Sequence, residues 1–202
     1  MRLIGMLDSP YVRRAAISLK LLDIPFTHEP VSVFRTFEQF RAINPVVKAP
    51  TLVCDDGVPL MDSTLIIDYA ETLAGRSLMP RDLAPRRQAL YVLGLALAAS
   101  EKTMQNVYEH NLRPAEKYHQ PWLERVDGQL FSAYGLLEAE IARTPVPADQ
   151  QALTQADLTT AVVWAFTQHM LPGKVAADAH PALAAFAAAI ERFPVFRETP
   201  LE

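Results

Sequence analysis

The first 75 residues alternate between short apolar runs and segments whose apolar positions have helical spacing. Arg2 to Met6 is short and mostly apolar, which is typical of a buried strand. A helix is predicted to follow, because Ser9 suits the N-cap and Pro10 suits the first helical position. The apolar residues of this helix recur on one face, and Arg13 and Arg14 lie off that face. The chain therefore begins with a strand and an amphipathic helix.

The segment from Phe26 to Gly75 predicts three more strands and two more helices. In order, they are a strand over 26–33 that Pro30 weakens, a short helix over 37–43, a hairpin of strands 51–54 and 58–61 around Asp55-Asp56-Gly57, and a helix that Asp62 or Ser63 caps and Gly75 ends. The resulting order, βαβαββα, predicts a small α/β layer with strands of mixed direction.

The rest of the chain has the pattern of helices only. Residues 76–85 carry two prolines and no periodicity, which is typical of a linker. Apolar stripes with helical spacing follow over 90–108, 122–141, 158–169 and 183–190. We therefore predict an α/β domain over 1–76, a linker over 77–85 and an all-helical domain over 86–202.

One helix start in the second half has a fuller signature. Thr154 at the N-cap can accept from the N–H of Asp157, and the Asp157 carboxylate can reach back to the Thr154 N–H. Leu153 and Leu158 occupy the positions of a hydrophobic staple around this capping box. Losing such a cap typically costs about 1 kcal/mol. Taken alone, the pattern predicts a structural cap and no functional role.

Composition and charge narrow the classes of function. Half of the residues are hydrophobic, which predicts a substantial core and argues against disorder. A formal charge of −4 and a pI near 5.7 give no reason to expect nucleic acid or an anionic membrane as a partner. The apolar runs are shorter than the ~20 residues that span a bilayer, and the first is too short for a signal peptide. We therefore expect a cytoplasmic protein.

Cysteine and histidine chemistry offers little. Cys54 is the only cysteine, so no intrachain disulfide or CxxC pair can form, and its place in a predicted strand favours burial. The five histidines have no metal-ligand spacing, and His169 on an apolar face is typical of a core residue. The sequence predicts no metal site, and disulfide exchange is the weakest function considered.

The loop before the third predicted strand has a distinctive proline. X-Pro bonds take the cis form at modest cost, so Ala49-Pro50 is a candidate for a fixed cis turn. Such a turn would leave the backbone N–H and C=O of Ala49 to pair with a ligand rather than with a neighbouring strand. The alternative is an ordinary loop proline at the start of an edge strand.

Four motifs, none of them specific alone, occur in the order and spacing of a known family across essentially the whole chain. They are Ser9-Pro10-Tyr11-Val12-Arg13-Arg14, Asn44-Pro45 with Lys48-Ala49-Pro50, Asp62-Ser63, and the box from Thr154 to Asp157. In these motifs the chain resembles the glutathione transferases, specifically a serine-type bacterial member with a tau-, theta- or zeta-like N-terminal motif. The resemblance implies a thioredoxin-like domain followed by an all-helical domain, glutathione as co-substrate, no metal and a homodimer.

The resemblance implies roles for individual residues. Ser9 would be the catalytic hydroxyl that donates a hydrogen bond to the glutathione sulfur, and a plain helix N-cap is the alternative. Ser63 and the helix N–H groups would bind the γ-glutamyl carboxylate, and Asp62 the γ-glutamyl ammonium. Two ordinary capping residues are the alternative there. Ala49, next to Pro50, would pair with the cysteinyl backbone.

The glycyl end of glutathione is less well specified. The resemblance implies that Lys48 binds the glycyl carboxylate, although most lysines are simply solvated. Arg35 is a second candidate for that carboxylate. The family usually has glycine before this lysine, and this chain has Val47. A β-branched residue resists a positive φ, so a loop that needs that geometry would displace Lys48.

The second substrate implied by the resemblance is a small hydrophobic electrophile bound between the domains against apolar side chains. The candidate residues for this pocket are Leu7, Tyr11, Met104, Tyr108 and Trp164. Core packing explains the last three equally well.

Two hypotheses of different class follow. The first is a detoxification enzyme that adds the glutathione thiolate to an electrophile, or isomerises or reduces a glutathione adduct. The second, motivated by Val47, is a non-catalytic binding or regulatory protein of the same fold. The sequence does not identify the electrophile, because packing rather than a motif shapes that pocket.

Overall fold

The computed structural model describes residues 1–201, which divide into two compact units. The N-terminal unit contains residues 1–79, the short segment 149–152 and the C-terminal residues from Phe193 onward. The helical unit contains residues 80–148 and 153–192. The first unit is α/β and the second is all-helical, which confirms the fold predicted from the sequence.

The N-terminal unit is built on a four-stranded mixed sheet. Its strands are β1 (Arg2–Ile4), β2 (Thr27–Glu29), β3 (Thr51–Val53) and β4 (Pro59–Met61), and its first helices are α1 (Pro10–Leu21), α2 (Phe37–Ile43) and α3 (Ser63–Ala74). The strand order is β2-β1-β3-β4, with β1 parallel to β2 and antiparallel to β3, and β3 antiparallel to β4. This is the predicted βαβαββα order with strands of mixed direction.

Adjacent residues of the central strand β1 supply the two halves of the core. Leu3 packs into a cluster with the apolar residues of α1 and α3. Ile4 packs with Val31 and with Phe40 of α2. Because side chains alternate across a strand, the sheet is covered on both faces, by α1 and α3 on one and by α2 on the other. Leu3, Ile4 and Phe40 are completely buried.

Strand β2 is shorter than the sequence predicts. The apolar pattern extends over 26–33, whereas the observed strand is Thr27–Glu29. Pro30 follows immediately, and proline has no backbone N–H to donate to the ladder. The strand therefore ends at the residue before Pro30.

The C-terminal segment differs from the domain boundaries that the sequence predicts. Those boundaries place all residues from 86 onward in the helical domain, but the segment from Phe193 clusters with the N-terminal unit. It contains the short helix α8 (Pro194–Arg197), and Arg13 of α1 holds it. The Arg13 Nε donates to the Thr199 carbonyl at 2.8 Å, and the guanidinium lies over the Phe196 ring at 5.4 Å. Apolar periodicity carries no information about such a long-range contact.

Four α-helices form most of the helical unit. They are α4 (Leu83–Leu112), α5 (Gln120–Ile141), α6 (Gln155–Met170) and α7 (Pro181–Ile190). Helix α4 begins inside the predicted linker, because Pro85 lies in its first turn, where a missing N–H costs nothing. The capping box at the start of α6 has both of its bonds: Thr154 Oγ1 accepts from the Asp157 N–H at 3.2 Å, and Asp157 Oδ2 accepts from the Thr154 N–H at 2.9 Å.

A chain of buried hydroxyls joins three of these helices. Tyr134 of α5 donates to Thr167 Oγ1 of α6 at 2.6 Å, and Thr167 pairs with Thr103 of α4 at 2.7 Å. All three side chains are completely buried. Buried hydroxyls without partners cost free energy, so these hydrogen bonds favour one register of the three helices.

Within residues 1–201, no helix is long and apolar enough to cross a membrane.

Candidate functional site

The first component of the candidate site is the start of α1. Ser9 has extended backbone angles, and its Oγ accepts from the Val12 N–H at 3.4 Å, so Ser9 is the N-cap that the sequence predicts. Pro10 occupies the first helical turn. The Ser9 hydroxyl uses its oxygen as the cap and donates its hydrogen to no residue within 1–201. A serine N-cap can therefore serve the helix and still offer a hydrogen-bond donor.

The second component is the loop before β3, which buried polar side chains hold in shape. Asn44, 1% exposed, donates from Nδ2 to Thr51 Oγ1 at 2.8 Å and accepts from the Val46 N–H at 3.0 Å. Thr51, also buried, donates to the Lys48 carbonyl at 2.7 Å. These bonds tie both ends of the loop together and fix the backbone next to Ala49.

The Ala49-Pro50 peptide bond is cis. The turn packs closely against the start of α1. A Cβ built on Gly5 would come within 2.6 Å of Val12 Cγ2 and 3.3 Å of Ala49 Cβ. Only glycine therefore fits between α1 and the loop, and its φ of +140° is also open mainly to glycine. The turn next to Ala49 is thereby held beside the first turn of α1, whose N-cap is Ser9.

Val47 adopts the backbone geometry that its residue type disfavours. Its φ is 53°, in the left-handed region. Its side chain packs on the core cluster of Ile4, Val31 and Phe40, and this apolar contact offsets part of the backbone cost. The loop thus has, at Val47, the positive φ that glycine adopts more easily than valine.

The third component is the start of α3. Asp62 is the N-cap and accepts from the Thr64 N–H at 2.9 Å, with a φ of 73°. Ser63 is 4% exposed, and its Oγ accepts from Nη1 of Arg14 at 2.9 Å. Burial lowers the pKa of Arg14 to about 10, and the negative charge of Asp62 opposes that shift, so the guanidinium stays cationic at neutral pH. The site therefore combines helix N–H groups, a hydroxyl and a buried cation.

Lys48 lies beside Asp62 rather than apart from it. The Lys48 Nζ is 3.8 Å from Asp62 Oδ2, and both side chains are about half exposed, at 50% and 46%. An exposed pair at this distance contributes little to stability. The contact does place a cation and a carboxylate side by side at the start of α3. The resemblance would separate them, with Lys48 at the glycyl end and Asp62 at the γ-glutamyl end.

The N-terminal unit therefore brings together most of the predicted glutathione-binding residues. Contacts link the α1 start to the cis-proline loop, α1 to the start of α3, and the loop to the start of α3. Arg35 is separate: its side chain is exposed, and within residues 1–201 no contact joins it to Lys48 or Asp62. Its backbone N–H donates to Ser32 Oγ at 3.0 Å, which fixes only the turn around it.

The predicted second-substrate residues have different environments in the two units. Leu7 is 5% exposed and borders a cavity of about 370 Å³ in the N-terminal unit, and Tyr11 of α1 is half-buried. In the helical unit Tyr108 is exposed, and Met104 is half-buried. Trp164 is 6% exposed and meets Tyr134 edge-to-face, with ring centroids 5.5 Å apart. Core packing accounts for Trp164.

Sequence reasoning missed two contributions to the site. Arg14 lies off the apolar face of α1 in the sequence pattern, but its side chain is 1% exposed and contacts the start of α3. Asn44 and Thr51 hold the loop together by hydrogen bonds, whereas the sequence indicates Asn44 only as part of a motif. A signal existed for Arg14: two adjacent arginines in the first turns of a helix, where cations oppose the dipole, are an unfavourable choice that needs a reason.

Comparison with known proteins agrees with this geometry. Residues 3–78 match the family model described as glutathione S-transferase, N-terminal domain. The uncharacterized GST-like protein YibF of Escherichia coli strain K12 is 27% identical over 177 residues, 86% of each chain. These matches support the glutathione transferase superfamily.

Solved structures extend the similarity over both units. A glutathione transferase family member from Pseudomonas fluorescens Pf-5, solved with bound S-(propanoic acid)-glutathione, is 27% identical, with a TM-score of 0.80 and 98% of each chain covered. The structure of a family member from the same strain with bound glutathione is 25% identical, with a TM-score of 0.83, and covers 100% of this chain and 98% of that one. The protein has the glutathione transferase fold, with a thioredoxin-like N-terminal domain and a helical C-terminal domain.

Proposed function

We propose that this protein is a serine-type glutathione transferase, in which Ser9 stabilises the thiolate of bound glutathione. The observation that carries the proposal is the convergence of three elements within one unit: the Ser9 N-cap, the cis Ala49-Pro50 turn and the start of α3 at Asp62-Ser63. The resembling structures from Pseudomonas fluorescens, solved with glutathione or a glutathione adduct, support the same ligand.

The binding role of each element follows from its chemistry. The backbone N–H and C=O of Ala49 would pair with the cysteinyl residue in the manner of an added strand. The Ser63 hydroxyl and the N–H groups at the start of α3 would donate hydrogen bonds to the γ-glutamyl carboxylate. The Asp62 carboxylate would take the γ-glutamyl ammonium, and Lys48 or Arg35 the glycyl carboxylate. Each proposed partner has the charge or polarity opposite to the group it binds.

The catalytic step needs a sulfur anion. A thiol with an ordinary pKa of about 8.5 is mostly protonated at neutral pH, and the thiolate is the nucleophile. A hydroxyl donor and a helix N-terminus both favour the anion, and each unit by which the thiol pKa falls requires about 1.4 kcal/mol. The thiol proton leaves to solvent. The sulfur lone pair then forms a C–S bond to the electrophile, whose leaving group departs with its electron pair, or whose adduct takes up a proton.

The remaining parts of the proposal come from the resemblance. We infer a small hydrophobic electrophile as second substrate, and of its candidate contacts Tyr108 is exposed while Tyr11 and Met104 are half-buried. A cytoplasmic homodimer with a role in detoxification completes the proposal. The competing function is a binding or regulatory protein that has lost catalysis.

Calorimetry followed by turnover assays separates these possibilities. Glutathione is titrated into the protein, with the dipeptide cysteinylglycine as a control ligand that lacks the γ-glutamyl group. Glutathione binding with turnover of a panel of electrophiles supports the transferase. Binding without turnover on any member of the panel supports the non-catalytic protein. If the protein does not bind glutathione at millimolar concentration, neither the transferase nor a glutathione-dependent binding protein is supported, and both proposals are overturned.

A further inference from the structure

Arg14 of α1 reaches across to the start of α3 from inside the core. Its side chain is 1% exposed, and its Nη1 donates to Ser63 Oγ at 2.9 Å and to Thr64 Oγ1 at 3.2 Å. A fully buried arginine is uncommon, because a charge loses its hydration on burial. The two hydroxyls it contacts are the first two side chains of α3.

This position is unfavourable for the helix. The start of a helix carries a partial positive charge, which favours anions and disfavours cations. Arg14 adds a full positive charge at the start of α3. One carboxylate oxygen of the nearby Asp62 accepts from the Thr64 N–H, and the other lies 3.8 Å from the Lys48 Nζ. A buried cation placed at the positive end of a helix forms an environment suited to a bound anion.

The hydrogen bond from Arg14 also determines whether the Ser63 hydroxyl can donate or accept a further hydrogen bond. Its oxygen accepts from the guanidinium, which leaves its single hydrogen to donate. Within residues 1–201, no group accepts that hydrogen. A hydroxyl that accepts a charge-assisted hydrogen bond is polarised and becomes a stronger donor. The geometry therefore orients Ser63 as a donor toward an external acceptor.

We propose that Arg14 is a positioning residue for the α-carboxylate of the γ-glutamyl group, acting through Ser63. The guanidinium holds the Ser63 hydroxyl as a donor and adds a buried positive charge behind it. This inference rests on the proposed glutathione site and deepens it, because it identifies the part of glutathione that the N-terminal unit discriminates.

The test compares two buried arginines on the same helix. Arg14→Met removes the proposed positioning group. Arg13→Met is the matched control, because Arg13 is equally buried but contacts Thr199 and Phe196 of the C-terminal segment. Both variants should lower the thermal midpoint. Dissociation constants are measured by calorimetry for glutathione and for γ-aminobutyryl-cysteinylglycine, which is glutathione without the α-carboxylate.

We expect Arg14→Met to weaken glutathione binding by about 10- to 100-fold, the range for a lost hydrogen bond to a charged group. Binding of the analogue should change less than about twofold, and Arg13→Met should leave both dissociation constants near those of the wild type. In a Ser63→Ala background, Arg14→Met should weaken glutathione binding by much less than in the wild type, because the hydroxyl through which it acts is gone.

The failures of the inference and of the proposed function are distinguishable. If the wild type does not bind glutathione, the proposed function fails. If it binds and Arg14→Met weakens glutathione and the analogue equally, or weakens neither, Arg14 does not position the carboxylate and only the inference is overturned. Should Arg14→Met not fold, Arg14→Lys replaces it. The lysine variant should weaken glutathione and spare the analogue, and equal effects on both ligands would overturn the inference.

Discussion

The conformation of Val47 gives the sharpest test of the loop geometry. A left-handed backbone costs a residue with a Cβ about 1–2 kcal/mol relative to glycine. In the unfolded chain, glycine has more freedom than alanine, which favours alanine by about 0.4–1 kcal/mol. Because Val47 has a φ of 53°, the first effect outweighs the second. We therefore expect Val47→Gly to be more stable than Val47→Ala by about 0.5–1 kcal/mol.

Because both substitutions are made at one position, the loss of the valine side chain lowers the free energy of unfolding equally in both variants. Both variants lose the contact of the valine methyl groups with the cluster of Ile4, Val31 and Phe40, so that loss cancels. Val46 is the matched control, because it is 64% exposed and its φ is not positive. There the order should reverse, with Val46→Gly less stable than Val46→Ala by about 0.4–1 kcal/mol.

The four variants are compared by thermal unfolding and by equilibrium urea unfolding, followed by circular dichroism. A difference of about 1 kcal/mol moves the thermal midpoint of a protein of this size by about 2–4 °C. If Val47→Gly is no more stable than Val47→Ala, the loop does not impose a positive φ at this residue. The explanation of how valine replaces glycine there would then be wrong.

Two further variants test the polar interior of each unit. Asn44→Ala should lower the free energy of unfolding by about 2–3 kcal/mol and weaken glutathione binding, because it removes one buried and one partly buried hydrogen bond of the loop. A loss just as large in a Thr51→Val background would contradict the action of Asn44 and Thr51 as a pair. Tyr134→Phe should cost about 1 kcal/mol by removing the bond to Thr167 Oγ1. Burial raises the pKa of Tyr134 above its ordinary value of 10.0, so the folded protein holds that proton when the unfolded chain has lost it. The free energy of unfolding should therefore fall as the pH rises above about 10 in the wild type, and should fall less in Tyr134→Phe. Thermal midpoints measured from about pH 8 to about pH 11 test this. Equal pH dependence of the midpoint in both proteins would show that Tyr134 is not the group responsible.

The fold could be predicted from the sequence because local signals agree with each other. Ser9 with Pro10, the Asp55-Asp56-Gly57 turn and the Thr154 capping box each mark an element boundary by short-range chemistry. The observed elements begin and end close to these residues. The attachment of the C-terminal segment could not be predicted, since it depends on Arg13, which lies 186 positions from its partner Thr199.

The site could be predicted only in part, for a related reason. The positions of Ser9, Pro50 and Ser63 are visible in the sequence as motifs on three elements. Their convergence depends on small details of packing, such as the space at Gly5 that a Cβ would fill. The burial of Arg14 was not predictable from its place on the polar side of α1. The residues proposed to bind the ligand occur in recognisable motifs, whereas the roles of Thr51 and Arg14 follow from burial and hydrogen bonds that only the fold shows.

In the proposed mechanism, Ser9 keeps the sulfur of bound glutathione ionised by donating a hydrogen bond. The most direct measurement is the ultraviolet band of the thiolate in the glutathione complex at neutral pH, compared between the wild type, Ser9→Ala and Ser9→Gly. Glycine replaces a serine N-cap at a cost of only about a few tenths of a kcal/mol, so the third protein loses the donor while keeping α1. We predict a thiolate band in the wild type that is lost in both variants. An unchanged band in Ser9→Ala, with an unchanged rate, would contradict the claim.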